Sequence, residues 1–131
     1  YGAVGTDNAS TNEVDNQIIG AKFTYGGATI GIQANEADSA AANGDEEFMA
    51  WGISYAVSED LSVSYNSSTI DYETASTNDQ EATGISASYT MGSMTLAGVL
   101  NKVDNEGTAA TGANNTNRNS ETFEVNLSFA F

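Results

Sequence analysis

Residues 122–131 read Thr122-Phe123-Glu124-Val125-Asn126-Leu127-Ser128-Phe129-Ala130-Phe131. Every second residue counted back from Phe131 is large and apolar: Phe131, Phe129, Leu127, Val125 and Phe123. The interleaved set, Ala130, Ser128, Asn126, Glu124 and Thr122, is small or polar. A period of two is the mark of a strand, whose side chains point alternately to opposite faces. One face of this strand is apolar and the other is wet. A water-soluble strand of this kind normally runs on into a turn or a tail, whereas this one stops on an aromatic ring. The blander reading is an ordinary edge strand closing a soluble sheet.

Moving outward, the same period recurs. From about Asp15 to Tyr25, Ile19, Ala21, Phe23 and Tyr25 alternate with Ile18, Gly20, Lys22 and Thr24. Gly26-Gly27 follows, a pair able to supply the positive φ angles of a tight hairpin. The return strand sets Ala28, Ile30, Ile32 and Ala34 against Thr29, Gly31, Gln33 and Asn35. The next, about Glu47 to Val57, carries Met49, Trp51, Ile53, Tyr55 and Val57 on one face, with Phe48 an apolar exception on the other. After the turn Ser58 to Asp60 come Leu61, Val63 and Tyr65, and the strand then turns polar through Ser67 and Thr69. Ile85, Ala87, Tyr89 and Met91 mark the strand before the turn Gly92-Ser93. Met94, Leu96, Gly98 and Leu100 mark the one after it, where both faces are fairly apolar. Gly20, Gly52 and Gly84 stand 32 residues apart, so the repeating unit is a hairpin.

The connections alternate between short (Gly26-Gly27, Ser58 to Asp60, Gly92-Ser93) and long (Gly5 to Glu13, Glu36 to Glu46, Glu73 to Gln80, Asp104 to Asn119). Antiparallel strands joined in sequence place all short turns at one end and all long loops at the other. The expected fold is therefore all-β, an antiparallel up-and-down arrangement of about seven strands. Tyr1 to Val4 is a stub that reads as the tail of a strand already under way.

Composition removes several functions. The 131 residues contain no Cys, Pro or His, and 18 acids outnumber three basic residues to give a net charge of −15. Without Cys there is no disulfide, thiolate metal site or thiol nucleophile, and without His the usual general base and the commonest transition-metal ligand are missing. So acidic a chain repels phosphate backbones, which excludes nucleic acid as a partner. No stretch approaches the ~20 apolar residues of a membrane helix, but spanning strands escape that test because half their residues face inward. Asn8, Asn66, Asn114 and Asn126 each open an Asn-x-Ser/Thr triplet, as chance predicts in a chain so rich in these residues.

The polar face is unlike that of a solvated sandwich. Its mid-strand members are mostly Gly, Ser, Thr, Ala, Asn and Gln, with Lys22 and Glu124 the clear charges. Small uncharged residues suit the concave wall of a water-filled barrel. Tyr25, Tyr55, Tyr89, Phe129 and Phe131 fall on the apolar face at the short-turn end, the pattern of an aromatic belt at a membrane interface.

The terminal strand resembles that of the Gram-negative outer-membrane β-barrels, which end in Phe after alternating hydrophobic and aromatic positions. That resemblance assigns Phe123, Val125, Leu127, Phe129 and Phe131 as the signal read by the barrel-assembly machinery. In its hairpins, short turns, acidic loops and terminal Phe the whole chain is similar to the general porins, most of all the alphaproteobacterial type. The resemblance implies that residues 1–131 are the C-terminal half of a single 16-stranded transmembrane β-barrel domain. It also implies that three such barrels assemble as a homotrimer among outer-membrane lipid and lipopolysaccharide, and that the loop setting the constriction lies upstream of Tyr1.

On that reading the pore is lined by Lys22, Thr24, Gln33, Ser54, Ser86, Ser88, Glu124 and Asn126. All acids except Glu59, Asp60 and Glu124 sit in the long loops or the strand ends beside them, where they would draw cations toward the mouth. The expected function is passive diffusion of small hydrophilic solutes and ions with a mild cation preference. No catalytic residue and no cofactor are expected, beyond Ca²⁺ held loosely by acidic loops. Lys102 and Arg118, at the rim, are candidates to meet lipid phosphates. The alternative is a non-conducting outer-membrane barrel or a soluble β-sandwich serving as a surface adhesion or interaction module. A calcium-dependent β-roll is disfavoured because its Gly-Gly-x-Gly-x-Asp repeats are missing.

Overall fold

The computed structural model describes residues 2–9, 12–42, 44–73, 77–106 and 118–130. They form eight strands in chain order: β1 (Gly2–Ala9), β2 (Asn12–Tyr25), β3 (Ala28–Ser39), β4 (Glu46–Ala56), β5 (Leu61–Tyr72), β6 (Gln80–Met91), β7 (Met94–Asp104) and β8 (Ser120–Phe129). All join one sheet in the order β1 to β8, and every neighbouring pair is antiparallel. Among the described residues β1 pairs only with β2 and β8 only with β7, so the sheet is open. The architecture is the all-β, up-and-down one that the alternation predicts. A single sheet also differs from a sandwich, which needs two sheets packed face to face.

Three short turns lie where the sequence puts them. Gly26 and Gly92 take φ of 58° and 62°, a region costly for residues with a Cβ. The third turn is held by a serine: the Asp60 and Leu61 amides donate to Ser58 Oγ at 3.3 and 3.1 Å.

The long connections are shorter than expected. Gly5 to Glu13 is not one loop. β1 continues to Ala9, β2 starts at Asn12, and Thr6 pairs with Asp15 and Asp7 with Val14. Likewise β3 runs through Asn35, Glu36 and Asp38 to Ser39. The ladder is made by backbone amides and carbonyls, which every residue here carries. Alternation marks a strand only where its two faces meet different surroundings, so it fades where both faces are polar.

A single layer has no interior. Among the described residues no hydrophobic side chain is buried, and the apolar face lies open: Phe23 is 67% exposed, Tyr25 80% and Phe123 69%. The register brings these side chains into rows that cross the sheet. One row runs Phe23, Ile30, Ile53, Tyr65, Ile85, Leu100 and Phe123 from β2 to β8. Trp51 packs diagonally on Tyr65, with ring centroids 5.3 Å apart at 50°. β7, apolar on both faces by sequence, presents Leu96 and Leu100 to this face opposite Leu127 and Phe123.

Candidate functional site

The polar face is built from the other half of the same rows. Thr24, Thr29, Ser54, Ser64, Ser86, Val99 and Glu124 lie directly opposite one another from β2 to β8. Thr24 Oγ1 and Thr29 Oγ1 are 3.0 Å apart, and Ser64 Oγ and Ser86 Oγ 2.7 Å, so neighbouring hydroxyls pair across the strands. One row toward the short turns come Ser88, Ala97 and Asn126. Beyond them the Thr90 and Thr95 hydroxyls pair at 3.0 Å.

Of the eight pore-lining residues read from the sequence, Thr24, Ser54, Ser86 and Glu124 thus share one row, and Ser88 and Asn126 share the next. Lys22 stands one row nearer the long loops, opposite Gly31, and Gln33 one row further, opposite Gly20 and Ala50. All eight belong to the same face. The two charges are not brought together: Lys22 is on β2 and Glu124 on β8, six strands apart at roughly 4.8 Å per strand. Phe123, Val125, Leu127 and Phe129 lie on the apolar face of β8, all exposed. Phe131 lies outside the described residues.

The row containing Lys22 was less legible. It runs Lys22, Gly31, Gly52, Asn66, Gly84, Asn101 and Thr122. The 32-residue spacing carries Gly52 and Gly84 into this row on either side of Asn66, whereas Gly20 falls one row away. A Cβ built on Gly84 would lie 2.6 Å from Asn66 Oδ1 and 2.9 Å from Asn101 Oδ1. A side chain here would have to push those two carboxamide tips aside. The recurring glycines signalled the row; its asparagines, in a chain full of Asn, gave no such signal.

A second departure lies nearer the long loops. Phe48, the exception on the polar face, sits opposite Ile70 on one side and Asn35 on the other, and Asn35 faces Ile18. These three apolar side chains make a half-buried patch on the polar face. Asn35 Oδ1 beside them is buried without a hydrogen-bond partner.

The apolar face has two borders, and both move. At the short-turn end Tyr25 and Tyr55 share a row, Tyr89 lies one row further from the long loops, and Phe129 one row further again. At the long-loop end the first row with charged side chains is Gln17, Glu36, Glu47 and Asp71 on β2 to β5. It becomes Glu81 and Asp104 one row down, then Lys102 and Glu121 a further row down. The two borders step in the same direction and by the same amount. Such stepping keeps a band level when the strands are tilted against it.

Charge gathers at the long-loop end. Lys102 Nζ bonds Asp104 Oδ2 at 2.5 Å, so one of the two rim cations is engaged by a neighbouring carboxylate. The loop bases are also tied sideways. The Glu73 amide donates to the Asp45 carbonyl at 3.1 Å, and Asn105 Nδ2 to the Asp79 carbonyl at 2.8 Å. Among the described residues no three acids converge to hold a metal ion. The arrangement offers an amphipathic wall with hydroxyls and amides on one side.

A family model described as Gram-negative porin matches residues 1–131. No curated protein and no solved structure matches the chain.

Proposed function

Because the chain belongs to the Gram-negative porins and so resides in the outer membrane, we propose that its polar face is the wall of a water-filled pore through which small hydrophilic solutes and ions diffuse passively. One observation carries this reading: the two borders of the exposed apolar face step together across β2 to β8. A band of constant height on tilted strands suits the hydrocarbon layer, and a wall of small hydroxyls and amides suits water. The strands from β2 on are 10 to 14 residues long, enough for the ~9–11 that a spanning strand needs.

In this reading the eight strands are the C-terminal portion of one larger barrel domain of sixteen strands, assembled as a homotrimer. The apolar face of β8 is what the barrel-assembly machinery recognises. Lys22, Thr24, Gln33, Ser54, Ser86, Ser88, Glu124 and Asn126 line the pore, and no residue acts catalytically. Acids at the long-loop end give a mild cation preference. They also hold diffuse Ca²⁺ or Mg²⁺ against lipopolysaccharide phosphates. Transport is then a matter of width and field.

Single-channel recording in planar lipid bilayers under a KCl gradient tests this. Large, stable steps in groups of three, with a reversal potential of cation-preferring sign, are expected. Silence from correctly folded protein would overturn the channel reading and favour the surface-module alternative.

A further inference from the structure

We propose that Asn66 and Asn101, standing either side of Gly84 on the polar face, form a docking subsite for neutral polyhydroxylated solutes, saccharides above all. The proposal rests on the polar face being the wetted wall of the pore.

Three observations lead to it. First, the two carboxamides converge: their Oδ1 atoms lie 2.6 and 2.9 Å from one point above Gly84, although β5 and β7 are not adjacent strands. Second, both side chains are exposed and neither hydrogen-bonds to another described residue. Two amide groups, each both donor and acceptor, are thus aimed at one place and left to the solvent. Third, the surface beside them is cut away. Gly31 and Gly52 continue the row toward β2, and a shallow depression over them, about 320 Å³, reaches from Lys22 and Gln33 to Asn66, with Ala21, Ile32 and Trp51 completing its lining. On the other side Thr122 stands opposite Asn101 and adds a hydroxyl.

The chemistry of the row selects the ligand. It contains no carboxylate, and its one charge is the Lys22 ammonium, so it has little to hold a cation. A sugar hydroxyl gives one hydrogen bond and accepts others, which matches a pair of amides, and adjacent hydroxyls on a ring match their convergence. The depression over Gly31 and Gly52, beside Asn66, leaves room for the ring. Exposed hydrogen bonds of this kind replace bonds to water and are individually weak. Binding is therefore brief, with a dissociation constant on the order of millimolar, as a pore that must release its solute requires.

The test uses the complete native barrel that contains these strands, reconstituted in planar bilayers, with sucrose and a poly(ethylene glycol) of equal hydrodynamic radius added in turn. Sucrose is expected to lower the open current and add noise beyond the size-matched polymer. That excess should fall about tenfold in Asn66→Ala/Asn101→Ala, the loss of two or more weak hydrogen bonds. Gly84→Ala should abolish it too, because the new methyl group drives the amide tips apart while both asparagines remain. A wild-type response no greater than the polymer's, or an excess surviving in both variants, would overturn the subsite. Side-chain amide NMR of the micelle-folded protein gives a readout independent of conduction: sucrose should shift the Nδ2 signals of Asn66 and Asn101 saturably. If the complete folded barrel passes no current, the diffusion reading fails, while the NMR titration still decides the subsite.

Discussion

At the scale of single residues, the glycines separate by what their positions demand. Gly26 and Gly92 have open space around them but positive φ, so the backbone and not crowding forbids a side chain. Substitution by alanine at either should cost roughly 1–2 kcal/mol, read from urea unfolding in lipid vesicles. Gly98, with open space and no positive φ, should accept alanine with little change in the same assay. Lys22 can be tested electrically. It is exposed on the polar face beside a run of glycines, and a unit charge a few ångströms from an ion in water is worth about 1 kcal/mol. Lys22→Glu should therefore raise the cation-to-anion permeability ratio by roughly two- to fivefold, measured as a shift in reversal potential. A shift toward anions would remove Lys22 from the pore wall.

At the scale of strands and turns, β8 decides whether the face assignment holds. Leu127 belongs to the open apolar face opposite Leu96, and Ser128 to the polar face opposite Thr95. Lysine at Leu127, one row inside the Phe129 border, should destabilise the lipid-folded protein by about 1–2 kcal/mol, between the midplane and interface values, and lysine at Ser128 by less. Equal losses on heating or in urea would contradict the alternation. Period-two patterning made β2 to β8 legible because one face meets hydrocarbon and the other water. It failed over Gly5 to Glu13 because neither alternate set of residues there is large and apolar, although Gly5 to Ala9 pair with Asn12 to Asn16 in the ladder. The same reason hid how far β3 extends. Candidate pore residues could be assigned to a face from sequence, since parity settles that. Their sharing of rows could not, because rows depend on register, and register depends on turn geometry that Gly26-Gly27 and Gly92-Ser93 only hint at.

At the scale of the whole molecule, the described residues bury no hydrophobic side chain, so nothing in the sheet itself supplies the usual driving force for folding in water. The chain should collect its ordered strands only with lipid or detergent, and circular dichroism with and without micelles tests this. A native sheet formed in plain buffer would point away from membrane burial. Selectivity belongs to this scale also, since the acids near the long loops act together. Their effect should weaken as KCl rises from about 0.1 M to 1 M, where the screening length contracts from about 10 Å to about 3 Å. A reversal potential insensitive to salt would place selectivity elsewhere. The stepping of the apolar borders bears, finally, on how such a sheet can grow. From β4 to β6 the spacing that keeps a residue in its row is 32, as Gly52 and Gly84 show, yet Tyr89 follows Tyr55 by 34. A hairpin duplicated unchanged would set its tyrosine where Ala87 now stands, one row out of line with the bilayer surface. From β4 onward a new copy must slide its greasy residues along the strand while its pairing stays fixed, so lineages that lengthen by duplication should bear the mark of that slippage, and a hairpin moved from β4 to β6 should fit only after a two-residue adjustment.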